Sequence, residues 1–481
     1  MSNLHLYQKI FRLTFLHFGI RSFFSLTTAV LMIFIMRKMG PQEFGKFSLV
    51  LQLAVTSGLF LSWGSASTLS KFLPELKVHP SQSRLSSQAI EVSLISMGVF
   101  LLFFFLLYFL APSILPDEIK SIKLIFVLFV GLFAIFNVFQ GIFRGLGKFV
   151  QWSLIEGSND FIARIFTLLL LLFSSTTYQN TLYCFSMSLL IMTLYSFSII
   201  RKQFFLSDLK IDPKVSHFAV IMLMGSVIFI VGTSADAVLL RALLKDPQEV
   251  GYYFAGIRIP QIFQSLLLTP LSIPFLYYFT HPDTSHTREQ IIKLGTKLLG
   301  LICGVVSLIF FSFGSIIVSL LYGDSYSKSI DVLRIYGFVF FIIGMQSFVG
   351  PFFVAINKVH VQMWIGFFSV LSLLALDFLL IPHWKSMGSA LANVIMLSLQ
   401  TISYIYILAN NKIDIVRFSL LLSGGMLLSV SLELFFLPYS ALPFFLFFVW
   451  ISRLFSKEEI DKIWLVISSQ NKEKLTAELP A

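Results

Sequence analysis

The sequence predicts an all-α polytopic membrane protein of about fourteen transmembrane helices, built as two parallel six-helix bundles with pseudo-twofold symmetry plus a terminal helix pair. Three observations predict it. Hydrophobic residues make up 57% of the 481 residues and charged residues 12%, whereas a soluble domain carries about a quarter charged residues. The apolar residues gather into runs of about 20, the length a helix needs to cross a bilayer. Finally, one phrase recurs. Pro41-Gln42-Glu43-Phe44-Gly45-Lys46-Phe47 returns as Pro247-Gln248-Glu249-Val250-Gly251-Tyr252-Tyr253, each joining two long apolar runs. An even number of spans separates the copies, so both lie on one side of the membrane. That is the plan of two halves related by an axis along the membrane normal.

The predicted spans lie near 14–36, 44–72, 88–111, 121–143, 154–174, 180–200, 216–243, 250–279, 293–321, 331–356, 361–381, 387–409, 416–436 and 439–454. The last two are also readable as a re-entrant hairpin. They divide the chain into an N-terminal bundle (1–200), a linker (201–215), a C-terminal bundle (216–409), a terminal pair (410–455) and a tail (456–481). Apolar Ile460, Ile463, Trp464 and Ile467 fall at helical spacing in that tail, as expected of a helix lying on the membrane surface. No connecting stretch is long enough for a soluble catalytic domain.

The net charge of +11 would point to nucleic acid in a soluble protein. Here the basic residues sit mostly in short loops, where they set topology instead, so no nucleic-acid partner is expected. Lys and Arg lie about two to one on the side that holds the N-terminus. Both termini are therefore expected on the cytoplasmic side and both repeat phrases at the outer face. The two cysteines, Cys184 and Cys303, fall inside apolar runs, so neither a disulfide nor a metal site is expected. No GxxxxGK[ST] loop, no His/Cys cluster and no long loop rich in Arg and His is present. An ATPase, a metal cofactor and a sugar polymerase or ligase are therefore not expected, and the reading is of a non-enzyme without cofactors.

The repeat itself reads as a helix start. Asp246 takes an N-cap position, Pro247 the first helical position and Glu249 the third, a capping box; Gly40 takes the cap in the first copy. Gly45 and Gly251 would let helices approach closely. A second echo supports duplication: Gly141–Lys148 and Pro351–Lys358 each end a span with a turn and a Lys.

Several stretches resemble a known group. They are Met39–Gly45 after the first span, Tyr253–Pro260 opening the eighth, Leu321–Tyr326 after the ninth, Ala355–Lys358 ending the tenth and Gly388–Ala392 opening the twelfth. In these the chain is similar to the polysaccharide and lipid-linked oligosaccharide flippases, O-antigen flippases among them, of the multidrug/oligosaccharidyl-lipid/polysaccharide exporter superfamily. The resemblance implies transport of a polyprenyl-diphosphate-linked oligosaccharide to the outer leaflet, with membrane lipid and other polysaccharide assembly proteins as partners. Four rivals stay open: a cation-coupled drug antiporter of the same superfamily, a flippase for the peptidoglycan precursor within the same fold, a membrane glycosyltransferase or polymerase, and a non-transporting membrane scaffold.

Charges deep in the bilayer are candidates for function. Asp236 and Arg258 fall at matching depth on adjacent spans, about 15–18 Å below the repeat at 1.5 Å per residue. They read either as a cavity site, Arg258 gripping diphosphate and Asp236 gating or coupling, or as a static buried pair. Arg164 lies near the midplane in the first half, with Asp160 four residues earlier to neutralise it or to share a polar stripe with it. Arg21 lies nearer the opposite end of the first span and reads as snorkelling or, by the resemblance, as capturing diphosphate. The candidates are therefore Arg258, Arg21 and Arg164 for substrate binding and Asp236 and Asp160 for gating or coupling. Glu91, Glu156, Asp377 and Glu433 read as interfacial. Pro260, Pro270 and Pro274 would bend the eighth span.

Overall fold

A computed structural model of the chain describes residues 3–75, 79–173, 177–201, 213–268, 288–355, 358–410, 413, 415–452, 454–456 and 459. The predicted tail helix, Pro270, Pro274 and most of the 201–215 linker lie outside the described residues.

The described residues are helical throughout the membrane region. In the first half the helices are α1 (Asn3–Leu61), α2 (Ser65–Glu75), α3 (His79–Leu110), the one-turn α4 (Asp117–Lys120), α5 (Lys123–Gly145), α6 (Phe149–Phe173) and α7 (Tyr178–Ile200). In the second they are α8 (Pro213–Leu244), α9 (Pro247–Leu267), α10 (Arg288–Tyr322), α11 (Ser329–Gln346), α12 (Val349–Ala355) and α13 (Val359–Asn410). The terminal pair is α14 (Val416–Phe435) and α15 (Ala441–Ile451). Two helices are far too long for one crossing, and each is folded sharply. α1 turns at Gly40 (φ 72°, ψ 169°) and α13 at Lys385 (φ 51°, ψ −132°). Each contributes two of the predicted spans, and this is a multi-pass membrane protein.

Three predicted spans need correction. The second is not continuous: α1 stops at Leu61, Trp63 and Gly64 take positive φ, and α2 resumes at Ser65. The tenth is interrupted between Gln346 and Val349. The last helix, α15, has 11 residues, about 16 Å long, roughly half the hydrocarbon thickness. It folds back on α14, and both pack on α10. Glu433 fastens this hairpin, accepting from Ser312 Oγ (2.6 Å) and from the Ala441 N–H at the start of α15 (3.1 Å).

The duplication is visible in atomic detail. Lys148 N–H bonds Phe143 O and Lys358 N–H bonds Phe353 O, each at 2.9 Å and each spanning five residues. This six-to-one bond closes a Schellman turn, and Gly147 (φ 70°) takes the left-handed position it requires. The repeat phrase also behaves alike in both halves, but not as predicted. Asp246 does cap α9, accepting from Gln248 N–H at 2.9 Å. Glu249, however, does not reach back to close a capping box. It crosses to the second limb of α13, where Ser386 donates through Oγ (2.8 Å) and N–H (3.4 Å). Glu43 does the equivalent in the first half, accepting from Tyr178 N–H, the first residue of α7, at 2.8 Å. Each repeat glutamate thus caps the sixth span of its own bundle. Lys46 balances Glu43 at 2.7 Å, and Lys328 and Lys385 lie 3.8 and 3.7 Å from Glu249.

The two copies also touch each other. A Cβ on Gly45 would stand 1.9 Å from Pro247 O, and one on Gly251 would stand 2.0 Å from Pro41 O. Gly45 meets the other copy's proline and Gly251 meets the first copy's, so the pseudo-twofold axis passes between them. In lipid, helices gain nothing from leaving water, and close backbone contact through small residues is what holds them together. Overpacking costs about 1–3 kcal/mol, so Gly45→Leu and Gly251→Leu should each lower the thermal unfolding midpoint in detergent. Gly424→Leu, whose Cβ would meet nothing within 4 Å, should leave it unchanged.

Candidate functional site

The seam between the halves is formed by α1 against α9 and by α1 and α2 against α8. Below the repeat it is polar. Ser234 on α8 is bonded by Gln52 Nε2 (3.0 Å) and shares a hydrogen bond with Thr56 Oγ1 (2.6 Å), and Ser25 meets Ser265 at 2.9 Å. Further from the repeat, Phe72 packs edge-on against Phe218, centroids 5.4 Å apart, and Lys71 Nζ sits 4.0 Å over the Phe218 ring.

Arg164 and Arg258 come from opposite halves and lie near enough for their charges to repel, with the Asp160 carboxylate acting on Arg258 in the opposite sense and the Tyr322 hydroxyl nearby. Arg164 is buried (5% exposed). It donates to Asp160 O at 2.8 Å and lies 3.3 Å from the Asp160 carboxylate, while its guanidinium covers Phe185 at 5.7 Å. Among the described residues Arg258 makes no ion pair, and its buried Nε has no partner. The buried Tyr322 hydroxyl, also near Arg258, has none either.

The anticipated Asp236–Arg258 pair does not form. Asp236 is buried within the second bundle, where the Tyr253 hydroxyl donates to its Oδ2 and Asn393 Nδ2 donates to the same atom at 3.0 Å. Tyr253 points at Asp236, and five residues at 100° each turn Arg258 about 140° away around α9. Equal depth did not imply equal facing. The real neighbour of Asp236 is Asp377, read from sequence as interfacial but fully buried (0% exposed). The two carboxyl groups lie side by side, close enough for each to bear on the other's charge, with Ser389 next to Asp377. Asp236 Oδ1, both Asp377 oxygens and Ser389 Oγ make no hydrogen bond. Ending the eleventh span at 381 puts Asp377 at its edge, but the helix runs on to its fold at Lys385, so Asp377 lies about 12 Å along the helix from the turn. The fold of α13 at Lys385 brings Asp377 and Ser389 back alongside each other.

Glu156 finds a partner that the sequence reading did not give it. It is paired with Arg21 at 2.6 Å, both side chains keeping nearly two fifths of their surface open (38% and 39%). Gly157 makes this possible: a Cβ there would stand 2.3 Å from the Phe24 ring, so α1 and α6 touch beside the pair.

The family profile of polysaccharide biosynthesis proteins matches residues 11–277, more than half of the chain. The chain belongs to this family. A curated relative, the capsular polysaccharide biosynthesis protein CapF of Staphylococcus aureus, is 28% identical over 156 residues, 32% of this chain and 39% of that protein's length. In fold, this polysaccharide biosynthesis protein is similar to the lipid II flippase MurJ in an inward closed conformation, with a TM-score of 0.73 at 16% identity over 91% of this chain and 98% of that one. It is also similar to an inward-facing multidrug resistance MATE family transporter of the MOP superfamily, with a TM-score of 0.63 at 11% identity over 82% and 97%. The expected superfamily fold is therefore present.

In this polysaccharide biosynthesis protein the halves are also clasped at the repeat end by two loops that cross over. The loop between the third and fourth spans carries Glu118, which takes Arg241 Nε of α8 at 2.8 Å. The loop at the equivalent place in the second half carries Tyr326, whose hydroxyl donates to Met36 O of α1 at 3.0 Å. Arg37 adds a bond to Leu320 O at 2.5 Å. Glu118 is 5% exposed, and removing one partner of a buried pair costs about 3–5 kcal/mol. Glu118→Arg should lower the unfolding midpoint sharply, and the exchange Glu118→Arg with Arg241→Glu should recover most of the loss.

Proposed function

We propose that this polysaccharide biosynthesis protein flips a polyprenyl-diphosphate-linked oligosaccharide from the cytoplasmic to the outer leaflet of the inner membrane, by alternating access. The repeat end would face outward and both termini inward. The observation that carries this reading is the pair Arg164 and Arg258, one from each half, near enough to repel each other, with one carboxylate, Asp160, acting on both. Two guanidinium groups so placed in a bilayer are costly unless a polyanion neutralises them. A diphosphate does so, and the planar fork of arginine suits its oxygens. The polyprenyl tail would remain in lipid while the halves rock about the glycine contact.

The same charge balance argues against a cationic-drug antiporter, whose binding cavity would need to be acidic. The carboxyl pair that is present, Asp236 with Asp377, is sealed inside one bundle beside Asn393 and Tyr253. It serves neither a drug cavity nor a glycosyl transfer at the membrane face. Two acids in a dry interior call for a proton or a cation between them, which favours a role in coupling.

Proteoliposomes carrying a fluorescent polyprenyl-diphosphate sugar test the reading. The intact protein should flip it. Arg258→Ala should flip at least tenfold more slowly while eluting and melting like the parent, consistent with a charge-assisted bond of about 1.5–3 kcal/mol. Absence of flipping together with cation-dependent drug efflux would sink the proposal. Asp236→Asn should keep the flipped lipid unchanged but make its rate insensitive to an imposed proton or sodium gradient. A gradient response equal to the parent's would remove Asp236 from coupling.

A further inference from the structure

One face of α6 carries Trp152, Glu156, Asp160 and Arg164, spaced four residues apart and therefore stacked in a line. Its upper end, Asp160 and Arg164, belongs to the midplane group. Its lower end, about 18 Å away at 1.5 Å per residue, carries a second basic group. The Arg21 guanidinium lies 4.9 Å from the centre of the Trp152 ring, and the Arg144 guanidinium lies 5.1 Å from it. Two cations on one indole repel each other, and Glu156 is the carboxylate that balances them, bonded to Arg21. Arg144 has no ion pair among the described residues; it makes a long bond of 3.4 Å to Gln140 O. The group comes from three helices, α1, α5 and α6, and the Schellman turn at Gly147 fixes the approach of α5 to α6 beside it.

The charge count repeats at both ends of the line. At the upper end Arg164 and Arg258 share Asp160, and at the lower end Arg21 and Arg144 share Glu156. Each end is left with one positive charge, and each carboxylate lies on the line itself.

We propose that Arg21, Arg144 and Trp152 form a separate binding station for the phosphate groups of a membrane lipid, at the end of the seam away from the repeat. Identifying that lipid with the transported diphosphate rests on the flippase reading above. Arg144 supplies a guanidinium that no carboxylate contacts among the described residues, Glu156 acting on it only across space. Trp152 holds both guanidinium planes in position by cation–π contact. Glu156 competes with the incoming phosphate for Arg21, so the station binds without trapping. A diphosphate leaving it moves along α6 towards Arg164 and Arg258, where Asp160 plays the same competing part.

Trp152 is the reporter. Full-length protein in phosphatidylcholine nanodiscs is titrated with farnesyl diphosphate while tryptophan fluorescence is followed, with Trp152→Phe isolating the signal of this ring. The parent should respond, and the response should vanish in Trp152→Phe. Arg144→Ala should weaken the apparent affinity about tenfold, with Arg144→Lys between the two because an ammonium keeps charge without the fork. Arg258→Ala should leave the Trp152 response in place, as expected if the stations are separate. Nanodiscs containing phosphatidylglycerol identify the source. A Trp152 response saturated by that lipid alone assigns the station to an anionic headgroup, whereas a response that still requires farnesyl diphosphate assigns it to a prenyl diphosphate. Silence of Trp152 towards both lipids, or parental affinity in Arg144→Ala, overturns the proposal. Loss of flipping by the parent with an intact Trp152 response would sink the transport reading and leave this station standing.

Discussion

The contact of Gly45 with Pro247 and of Gly251 with Pro41 is the constraint on which the rest of the structure depends. Neither glycine tolerates even a methyl group where it sits, so two backbones meet with nothing between them. That contact lies at one end of the seam, and the helices that make it, the second limb of α1 and the start of α9, also line the rest of it. Whatever happens at Arg258, eleven residues along α9 from Pro247, is referred to this point. The crossing loops reinforce the same end: Glu118 and Tyr326 each reach from one half to the first helix of the other. The repeat glutamates secure each bundle internally by capping its sixth span. One short phrase therefore joins the halves through its glycines and binds each half through its acid.

Much of this architecture was legible in the sequence. Hydropathy found the spans, and the recurrence of the phrase found the two halves. Close approach at Gly45 and Gly251 follows from small residues being what membrane helices use to pack. The breaks were not legible. Ser62 to Gly64, and Gln346 with Ser347, are uncharged and flanked by apolar residues, so a window of about 20 residues averages over them. The destination of Glu249 was hidden for another reason. A capping box is a local pattern, and a residue more than a hundred positions away, Ser386, offered the buried acid a better partner.

The candidate site was legible as a set of residues but not as a set of contacts. Counting residues from a surface gives depth, and depth placed Asp236 and Arg258 together. Contact also depends on the direction in which each side chain leaves its helix. Tyr253 was the missing clue: once it points at Asp236, the helical repeat turns Arg258 towards the other half. The structure accordingly separates two groups that the sequence had merged. The basic group lies in the seam between the halves, and the acidic group lies wholly inside one of them.

That separation has a mechanical consequence. A cation pair neutralised by an acid in the same cavity would be a static structure, and a ligand would have to break it. Here the arginines of the seam are only partly compensated, and the buried acid pair is held elsewhere. Both groups nevertheless touch α9: Tyr253 carries the contact to Asp236, and Arg258 stands five residues further on the opposite face. On the proposed transport reading, a change of charge at the acid pair would act on Tyr253 and so on α9, the helix that also carries Arg258. One helix, fixed at Gly251 against the other half, thus bears both the contact inside the second bundle and the arginine between the two.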